Sequence, residues 1–288
     1  MSEWKEYKLG EKKIMDMDTN LLKEIITYNE NKNRFCLGNN GKKVLKRDLT
    51  KYMTIESFKK CIDYNHTNGK GTIQFVEPNK WDDEFEQRFY IANYNNISKD
   101  KKTHPRLFSC CFSTVKKSYA AWRVFENKKL GNDGLCVKIV IDRKKFSKEL
   151  CKYNKRAYKI YEGIVDYGLS DYDILHLHEK SNRYHQLFFG GNFEVNNYLS
   201  LLLIKRNAFD YEKEFRYFMI PPTPIRGNKI YPEIDWGKVI KDVEVDIHYP
   251  DSDFNLLKDF CETEFGRSFR IHKIDLNSMP GGKITIQK

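Results

Sequence analysis

The segment Phe209-Asp-Tyr-Glu-Lys-Glu-Phe-Arg-Tyr-Phe-Met219 carries two carboxylates and a guanidinium at alternate positions. In a β-strand, Glu212, Glu214 and Arg216 would project from one face, because successive side chains alternate between faces. Such a row can stabilise a developing cation, accept a proton or hold an anionic group. The alternative is a surface strand with one solvated face, on which the charges pair loosely.

A second acidic segment follows Trp81, where Asp82, Asp83, Glu84 and Glu86 lie close together in sequence. Together with Glu212 and Glu214, these oxygens could bind magnesium in a nuclease-like cluster. The favoured interpretation is a turn that caps a helix beginning near residue 85, where acids stabilise the helix N-terminus.

Histidines are concentrated at His176, His178 and His185. A metal site needs at least three converging ligands, and the His-x-His pair shares one face only in a strand. The residues after this pair have a helical pattern, so we expect solvated histidines and no metal site.

The composition predicts a globular protein whose positive charge suits a nucleic-acid partner. The chain of 288 residues is 40% hydrophobic and 14% aromatic, and its 51 Lys and Arg outnumber 40 Asp and Glu to give a net charge of +11. That excess favours polyanionic partners, although biased Lys-rich and Asn-rich composition explains it equally well. The seven cysteines include no Cys-x-x-Cys pair, which favours a reducing cytoplasm. The sequence also has no signal-peptide core and no run of ~20 apolar residues, so we expect no membrane contact. Phosphate-binding glycine loops and the G-x-S-x-G motif are absent from the sequence.

Strands outnumber helices and do not alternate regularly with them, which favours a mixed α+β fold over a doubly wound nucleotide-binding sheet. We expect a polar leader or cap at residues 1–50, with a short amphipathic helix near residues 21–28, and one α+β domain at residues 51–288. The predicted strands are 72–76, 107–113, 135–141, 158–165, 213–220, 243–248, 269–274 and 283–286. The predicted helices are 55–62, 116–127, 143–150, 183–203 and 254–265.

Four segments in order resemble a prokaryotic and phage family, domain of unknown function 2971. The first is Lys51-Tyr-Met-Thr54 with the following helix, and the second is Thr72-Ile-Gln-Phe-Val-Glu-Pro78 with Trp81-Asp-Asp-Glu-Phe-Glu86. The third combines Cys111-Phe-Ser113, Trp122-Arg-Val-Phe125 and Gly134-Leu-Cys-Val137. The fourth is Tyr211-Glu-Lys-Glu-Phe-Arg216. Asp82, Glu84 and Phe125 stand where the family motifs have Asn, Pro and Tyr. The resemblance covers roughly residues 50 to 275.

The same order of motifs is similar to that of the mono-ADP-ribosyltransferases: an aromatic-bearing first strand, a Ser at a strand end and a late Glu-x-Glu strand. The resemblance implies a split, largely antiparallel β core with flanking helices, and NAD as the substrate. It implies that Glu214 stabilises the oxocarbenium-like transition state, that Glu212 orients or deprotonates the nucleophile, and that Ser113 positions Glu214 or the ribose. The NAD-binding residues implied by the resemblance are Lys51, Tyr52, Thr54, Trp122 and Arg216.

The leading hypothesis is therefore an intracellular NAD-dependent ADP-ribosyltransferase that acts as a toxin or phage-defence effector. Its acceptor would be a nucleic acid or a protein, and its partner would be an antitoxin or regulator. Two alternatives stay open. One is a non-enzymatic nucleic-acid-binding or regulatory module, in which Glu212, Glu214 and Arg216 form a structural ion-pair network. The other is a metal-dependent nuclease built on Asp82, Asp83, Glu86 and Glu214.

Overall fold

A computed structural model gives the fold of the chain. It describes residues 48–62, 69–84, 86–87, 106–116, 118, 120–122, 136–167, 199, 202–266 and 269–275, and the backbone of residues 26–29 and 34–37. Within these ranges no helix has the length and apolar character needed to span a membrane. The predicted strand at 283–286, most of the predicted helices at 116–127 and 183–203, and the histidines at 176, 178 and 185 lie outside the described residues.

Two sheets and four helices have both of their ends within the described residues. The strands are β1 Ile26–Asn29, β2 Arg34–Leu37, β3 Leu49–Thr54, β4 Lys70–Thr72, β5 Phe75–Val76, β6 Phe108–Ser113, β7 Cys136–Ile141, β8 Lys159–Ile164, β9 Glu214–Ile220, β10 Lys229–Ile230, β11 Glu233–Asp235, β12 Ile240–Asp246 and β13 Ile271–Ile274. The helices are α1 Ile55–Ile62, α2 Arg143–Cys151, α3 Trp236–Val239 and α4 Asp251–Phe265.

The main sheet has the order β1-β2-β8-β9-β6-β3-β7-β12-β13, with β5 paired to β6 and β10 paired to β5. Its neighbouring strands run antiparallel except for β2 with β8 and β12 with β13. Strands β4 and β11 form a separate pair. The predicted mixed and largely antiparallel α+β architecture is confirmed. The amphipathic helix predicted near residues 21–28 is wrong for residues 26–28, because these belong to β1 and pair with β2.

Helices begin where short polar side chains cap them. The Ser57 backbone N–H donates to Thr54 Oγ1 (3.2 Å) at the start of α1, and the Lys145 N–H donates to Asp142 Oδ1 (3.0 Å) at the start of α2. These bonds satisfy backbone donors that a first helical turn leaves without an internal partner. The predicted helices at 55–62 and 143–150 are confirmed to within one residue.

One face of the sheet packs against α2 and carries the main apolar core. Phe112 and Tyr217 project from this face, and the ring of Phe146 on α2 contacts both at centroid distances of 5.0 Å. Side chains directly opposite in paired strands share a face, so Glu214 and Arg216, paired with Ser113 and Cys111, lie on the other face. We call this second face the cleft face.

Every residue of β9 is buried. Arg216 is 1% exposed and Glu214 is 8% exposed. The interpretation of this strand as a surface strand with one solvated face is therefore wrong. Side chains from other segments cover the charges, and buried charges require partners.

Candidate active site in an opening of the sheet

The sheet opens beside β6. Strand β3 pairs with β6 at Thr50 and Ser113 only, and β5 meets the same edge of β6 only at Ser109. Because β3 and β5 meet opposite ends of β6, the middle of this edge borders a cavity of about 1480 Å³. The cavity reaches both faces of the sheet, since its lining includes Lys51 and Phe112 as well as Glu214.

Glu214 on the cavity wall is held between two cations. Its Oε1 accepts from Lys205 Nζ at 2.7 Å, and its Oε2 accepts from Arg216 Nε at 2.6 Å. Lys205 Nζ also donates to Glu212 Oε2 at 2.5 Å and lies 3.7 Å from Glu86 Oε2. One ammonium group is thus shared by three carboxylates.

The Arg216 guanidinium is fully engaged within the protein. One terminal nitrogen contacts Glu86 Oε1 at 2.5 Å, and the other donates to the Leu202 carbonyl oxygen at 2.6 Å. The Trp81 ring lies 4.4 Å from its central carbon, in a cation–π contact. These contacts fix Arg216 and, through it, the orientation of the Glu214 carboxylate.

Glu212 precedes β9 and reaches the same cations from a turn. It ends a 3₁₀ turn at Asn207–Glu212, and Lys213 then takes the left-handed conformation with φ of 42° before the strand begins. Ser113 holds this reversal, because its Oγ donates to the Glu212 carbonyl oxygen at 2.7 Å. The Thr114 N–H supports it by donating to the Lys213 carbonyl oxygen at 2.9 Å. The carboxylate of Glu212 therefore reaches the cluster from outside the strand.

Charge counting explains why one carboxyl group in this cluster keeps a proton. Glu86, Glu212 and Glu214 face two cations, Lys205 and Arg216, so the cluster is neutral only when one carboxyl is protonated. Burial, together with the hydrogen bond to Glu214 and the charge of Glu214, raises the pKa of Glu212 to about 7. Burial also raises the pKa of Glu86, against the opposing effect of Arg216 and Lys205.

Glu214 behaves in the opposite way to Glu212. Burial alone would raise the pKa of Glu214, but Arg216, the hydrogen bond from Glu212 and Lys205 together hold it well below its usual range. The two neighbouring carboxyls therefore form a pair in which Glu214 stays ionised and Glu212 exchanges a proton near neutral pH. Such a division is typical of acid–base pairs in active sites, although structural ion-pair networks also produce it.

The backbone of Glu214 is fixed as well as its side chain. Its N–H donates to the hydroxyl of Tyr167 at 2.9 Å, and its carbonyl oxygen accepts from the Val165 N–H at 3.0 Å. Burial and the nearby charge of Glu214 raise the pKa of Tyr167, so this phenol stays neutral. The carboxylate has little freedom to move, which suits a group that must be in place before a charge develops.

Tyr52 is two residues beyond Thr50 on β3, so it projects from the cleft face like Ser113, the partner of Thr50. It is also one of the residues that line the cavity. Trp122 contacts the Tyr52 ring edge-on at 5.3 Å but is 0% exposed and lies behind the cavity lining. Thr54 caps α1 outside the lining. Of these three predicted NAD-binding residues, only Tyr52 faces the cavity.

Lys51 projects from the face opposite to Glu214 and reaches into the opening between β3 and β6. Its ammonium donates to the Cys111 carbonyl oxygen at 2.8 Å, in place of the strand partner that β6 lacks there. The described residues include no carboxylate within salt-bridge distance of Lys51. Lys51 therefore lines the cavity without an acidic partner among the described segments.

The four carboxylates of the nuclease hypothesis all line the cavity, and three of them pair with protein cations. Asp83 is 3.4 Å from Arg206, while Glu86 and Glu214 contact Arg216. Lys205 Nζ lies between the carboxylates of Glu86, Glu212 and Glu214. The Gln87 N–H donates to the Asp83 carbonyl oxygen at 3.0 Å, as expected for the predicted helical turn.

Sequence reasoning missed Lys205, Tyr167 and the contact of Trp81 with Arg216. The available signal was weak: Lys205 and Arg206 directly follow the apolar run Leu201-Leu-Leu-Ile204, which is typical of a chain leaving the core. Nothing local connects that run to β9. Tyr167 acts through its hydroxyl on a main-chain group, and such contacts leave no sequence pattern.

No family model matches the chain, and comparison with curated proteins and with solved structures finds no match either.

Proposed function

We propose that this protein is an NAD-dependent enzyme of the ADP-ribosyltransferase type, within the family of domain of unknown function 2971 that its motifs resemble. The observation that carries the proposal is the pair of carboxyls of Glu212 and Glu214, which both contact Lys205 at the wall of a large cavity. The split of the sheet beside β6 is consistent with the fold that the resemblance implies.

Cleavage of the bond between nicotinamide and ribose develops positive charge on the ribose. A fixed, permanently ionised carboxylate opposite that charge lowers the barrier, and Glu214 has these properties. Glu212 with a pKa near neutrality suits removal of a proton from the incoming nucleophile. Loss of the Glu212 proton to solvent, before the nucleophile arrives, gives the cluster a net negative charge, which further favours the cationic transition state.

Ser113 acts in this proposal as a positioning residue, because its hydroxyl holds the backbone of Glu212. Lys51 supplies a positive charge for the diphosphate of NAD, and the aromatic ring of Tyr52 on the cavity wall supplies a surface for a planar ring. Arg216 does not contact NAD in this proposal, since its donors are engaged by Glu86, Glu214 and Leu202.

The decisive experiment incubates the protein with NAD labelled on the adenylate portion and with a mixture of protein, RNA and DNA acceptors. Transfer of label and release of nicotinamide are compared among wild type, Glu214→Gln and Glu262→Gln. Glu262 pairs with Lys258 on the surface of α4 and does not line the cavity, so its variant controls for a change of one charge. Label transfer by wild type and Glu262→Gln, with a loss of at least ~100-fold in Glu214→Gln, is the expected result.

Absence of both transfer and nicotinamide release in wild type would refute the proposal. Equal rates in wild type and Glu214→Gln would refute the role of Glu214. The class of labelled acceptor identifies the target, and co-purification with a neutralising protein tests the proposal of a toxin with an antitoxin.

The charge of +11 favours one alternative, a non-enzymatic nucleic-acid-binding module. In that case the ion-pair cluster around Arg216 is structural. Binding of RNA or DNA would weaken steeply with salt, and NAD would not bind. Cleavage of nucleic acid that depends on magnesium and stops with EDTA would instead support the nuclease hypothesis.

A further inference from the structure

Three side chains with metal-binding atoms meet at the far end of the cleft face, away from the cavity. Glu244 on β12 lies opposite His272 on the parallel strand β13, and Asp242 is two residues earlier on β12. All three therefore project from the same face. Their potential ligand atoms, one nitrogen and two oxygens, lie within 4.8 Å of one another.

The surroundings hold these side chains in place by their outer atoms. Glu244 Oε2 pairs with the buried ammonium of Lys138, which also donates to the Lys116 carbonyl oxygen at 2.6 Å. Asp242 Oδ2 lies 3.6 Å from the exposed Arg270. Ligating carboxylates are commonly oriented in this way by groups outside the metal site, so these cations do not compete for the inner oxygen of Asp242.

The inner oxygen of Asp242 is buried beside the imidazole of His272. Oδ1 is inaccessible to solvent and accepts no hydrogen bond from any described residue, although His272 Nδ1 is only 3.1 Å away. A buried carboxylate oxygen beside an imidazole nitrogen is stabilised by a cation that binds both atoms.

We propose that Asp242, Glu244 and His272 bind a divalent transition-metal ion, with Zn²⁺ as the best match. One imidazole nitrogen and two carboxylate oxygens form a mixed donor set that suits Zn²⁺ better than Mg²⁺ or Ca²⁺, which prefer oxygen alone. Three protein ligands leave a fourth position for water. The ion would join β13, at the edge of the sheet, to β12, and this site is independent of the function proposed for the cavity.

The test is a Zn²⁺ titration of the full chain after removal of metals with a chelator, followed by calorimetry and thermal unfolding. His272→Asn removes the nitrogen ligand at a partly exposed position, and Asp242→Asn removes a carboxylate with almost no change in volume. His248→Asn is the matched control, because His248 is exposed in the turn after β12 and outside the site. A double His176→Asn, His178→Asn variant removes the other histidine pair of the sequence.

We expect wild type, His248→Asn and the double variant to bind one Zn²⁺ with equal affinity at this site, and His272→Asn to bind at least ~10-fold more weakly. Saturating Zn²⁺ should raise the Tm of wild type by several degrees but leave that of His272→Asn unchanged. Replacement by Co²⁺ should give visible absorption bands that the His272→Asn variant lacks.

Equal Zn²⁺ affinity in wild type and His272→Asn would overturn the proposal, as would loss of binding in the double variant alone. Wild type without a measurable Zn²⁺ site would overturn it as well. Circular dichroism of each variant confirms that a loss of binding is not a loss of fold.

Discussion

Replacing Glu212 by Gln should make the protein more resistant to unfolding at alkaline pH. Gln has the shape of protonated Glu and retains a donor for Glu214 and an acceptor for Lys205. The variant therefore mimics the neutral form of the cluster at every pH. Wild type adopts that form only when Glu212 carries its proton.

The size and sign of the effect follow from linkage. The pKa of Glu212 rises from 4.5 in the unfolded chain to about 7 in the folded protein, which corresponds to ~3 kcal/mol at most. Because the folded state binds this proton more tightly, the contribution is fully present below pH 4.5 and is lost as the pH rises through 7. Glu214, whose pKa is lowered, contributes in the opposite sense and loses its contribution only in acid.

The assay is urea unfolding of wild type and Glu212→Gln at pH 5, 6, 7 and 8, with the free energy of unfolding extrapolated to water. The difference between the two proteins isolates Glu212 from other titrating groups. We expect near-equal stability at pH 5 and an advantage of ~2 to 3 kcal/mol for Glu212→Gln at pH 8. Glu262→Gln should follow wild type within ~0.5 kcal/mol, because exposed ion pairs contribute little.

Parallel curves for wild type and Glu212→Gln from pH 5 to 8 would refute the shared proton. A variant that is less stable at every pH would refute the charge count on which it rests. Glu214→Gln provides the opposite control, because it replaces the charged contacts of Glu214 with Lys205 and Arg216 by neutral ones and should lose ~2 kcal/mol near neutral pH.

Three further predictions concern packing and hydrogen bonds. Lys205→Met removes the ammonium shared by three carboxylates and should lower the free energy of unfolding by ~3 to 5 kcal/mol in urea unfolding; a loss below 1 kcal/mol would contradict its central place in the cluster. Gly71→Ala places a Cβ 1.8 Å from the Cys61 carbonyl oxygen, so the Tm should fall by several degrees. Gly237→Ala is the control and should change the Tm little, because its Cβ would have only ordinary contacts of 3.7 Å or more. Ser113→Ala should cost ~1 kcal/mol of stability and, in the labelling assay, lower the rate while the affinity for NAD is retained; unchanged rate would exclude a positioning role.

The described strands and helices were predictable where apolar periodicity is strong and local. The run at β7 and the capped pattern at α2 follow from residue types alone. The shared face of Glu214 and Arg216 was also predictable, because alternation within a strand is fixed by geometry. The left-handed Lys213 was not, and it is the reason that Glu212 lies outside β9 rather than within it.

The composition of the charged cluster could not be predicted, because its members come from distant parts of the chain. Lys205 and Glu86 approach β9 only after the sheet has formed, and no local pattern specifies that approach. Burial was misjudged for the same reason: a strand with alternating charges has the sequence pattern of a half-solvated strand until the covering segments are known.

The single residue pair between β3 and β6 gives the sheet an uneven mechanical strength. The neighbouring contacts β6 with β9 and β3 with β7 each extend over six residue pairs. Across this junction β3 is held to β6 by one main-chain pairing, by the hydroxyl of Thr50 and by the ammonium of Lys51. The hydrogen-bond ladder of the sheet therefore restrains the width of the cavity less than it restrains the spacing of strands within either half.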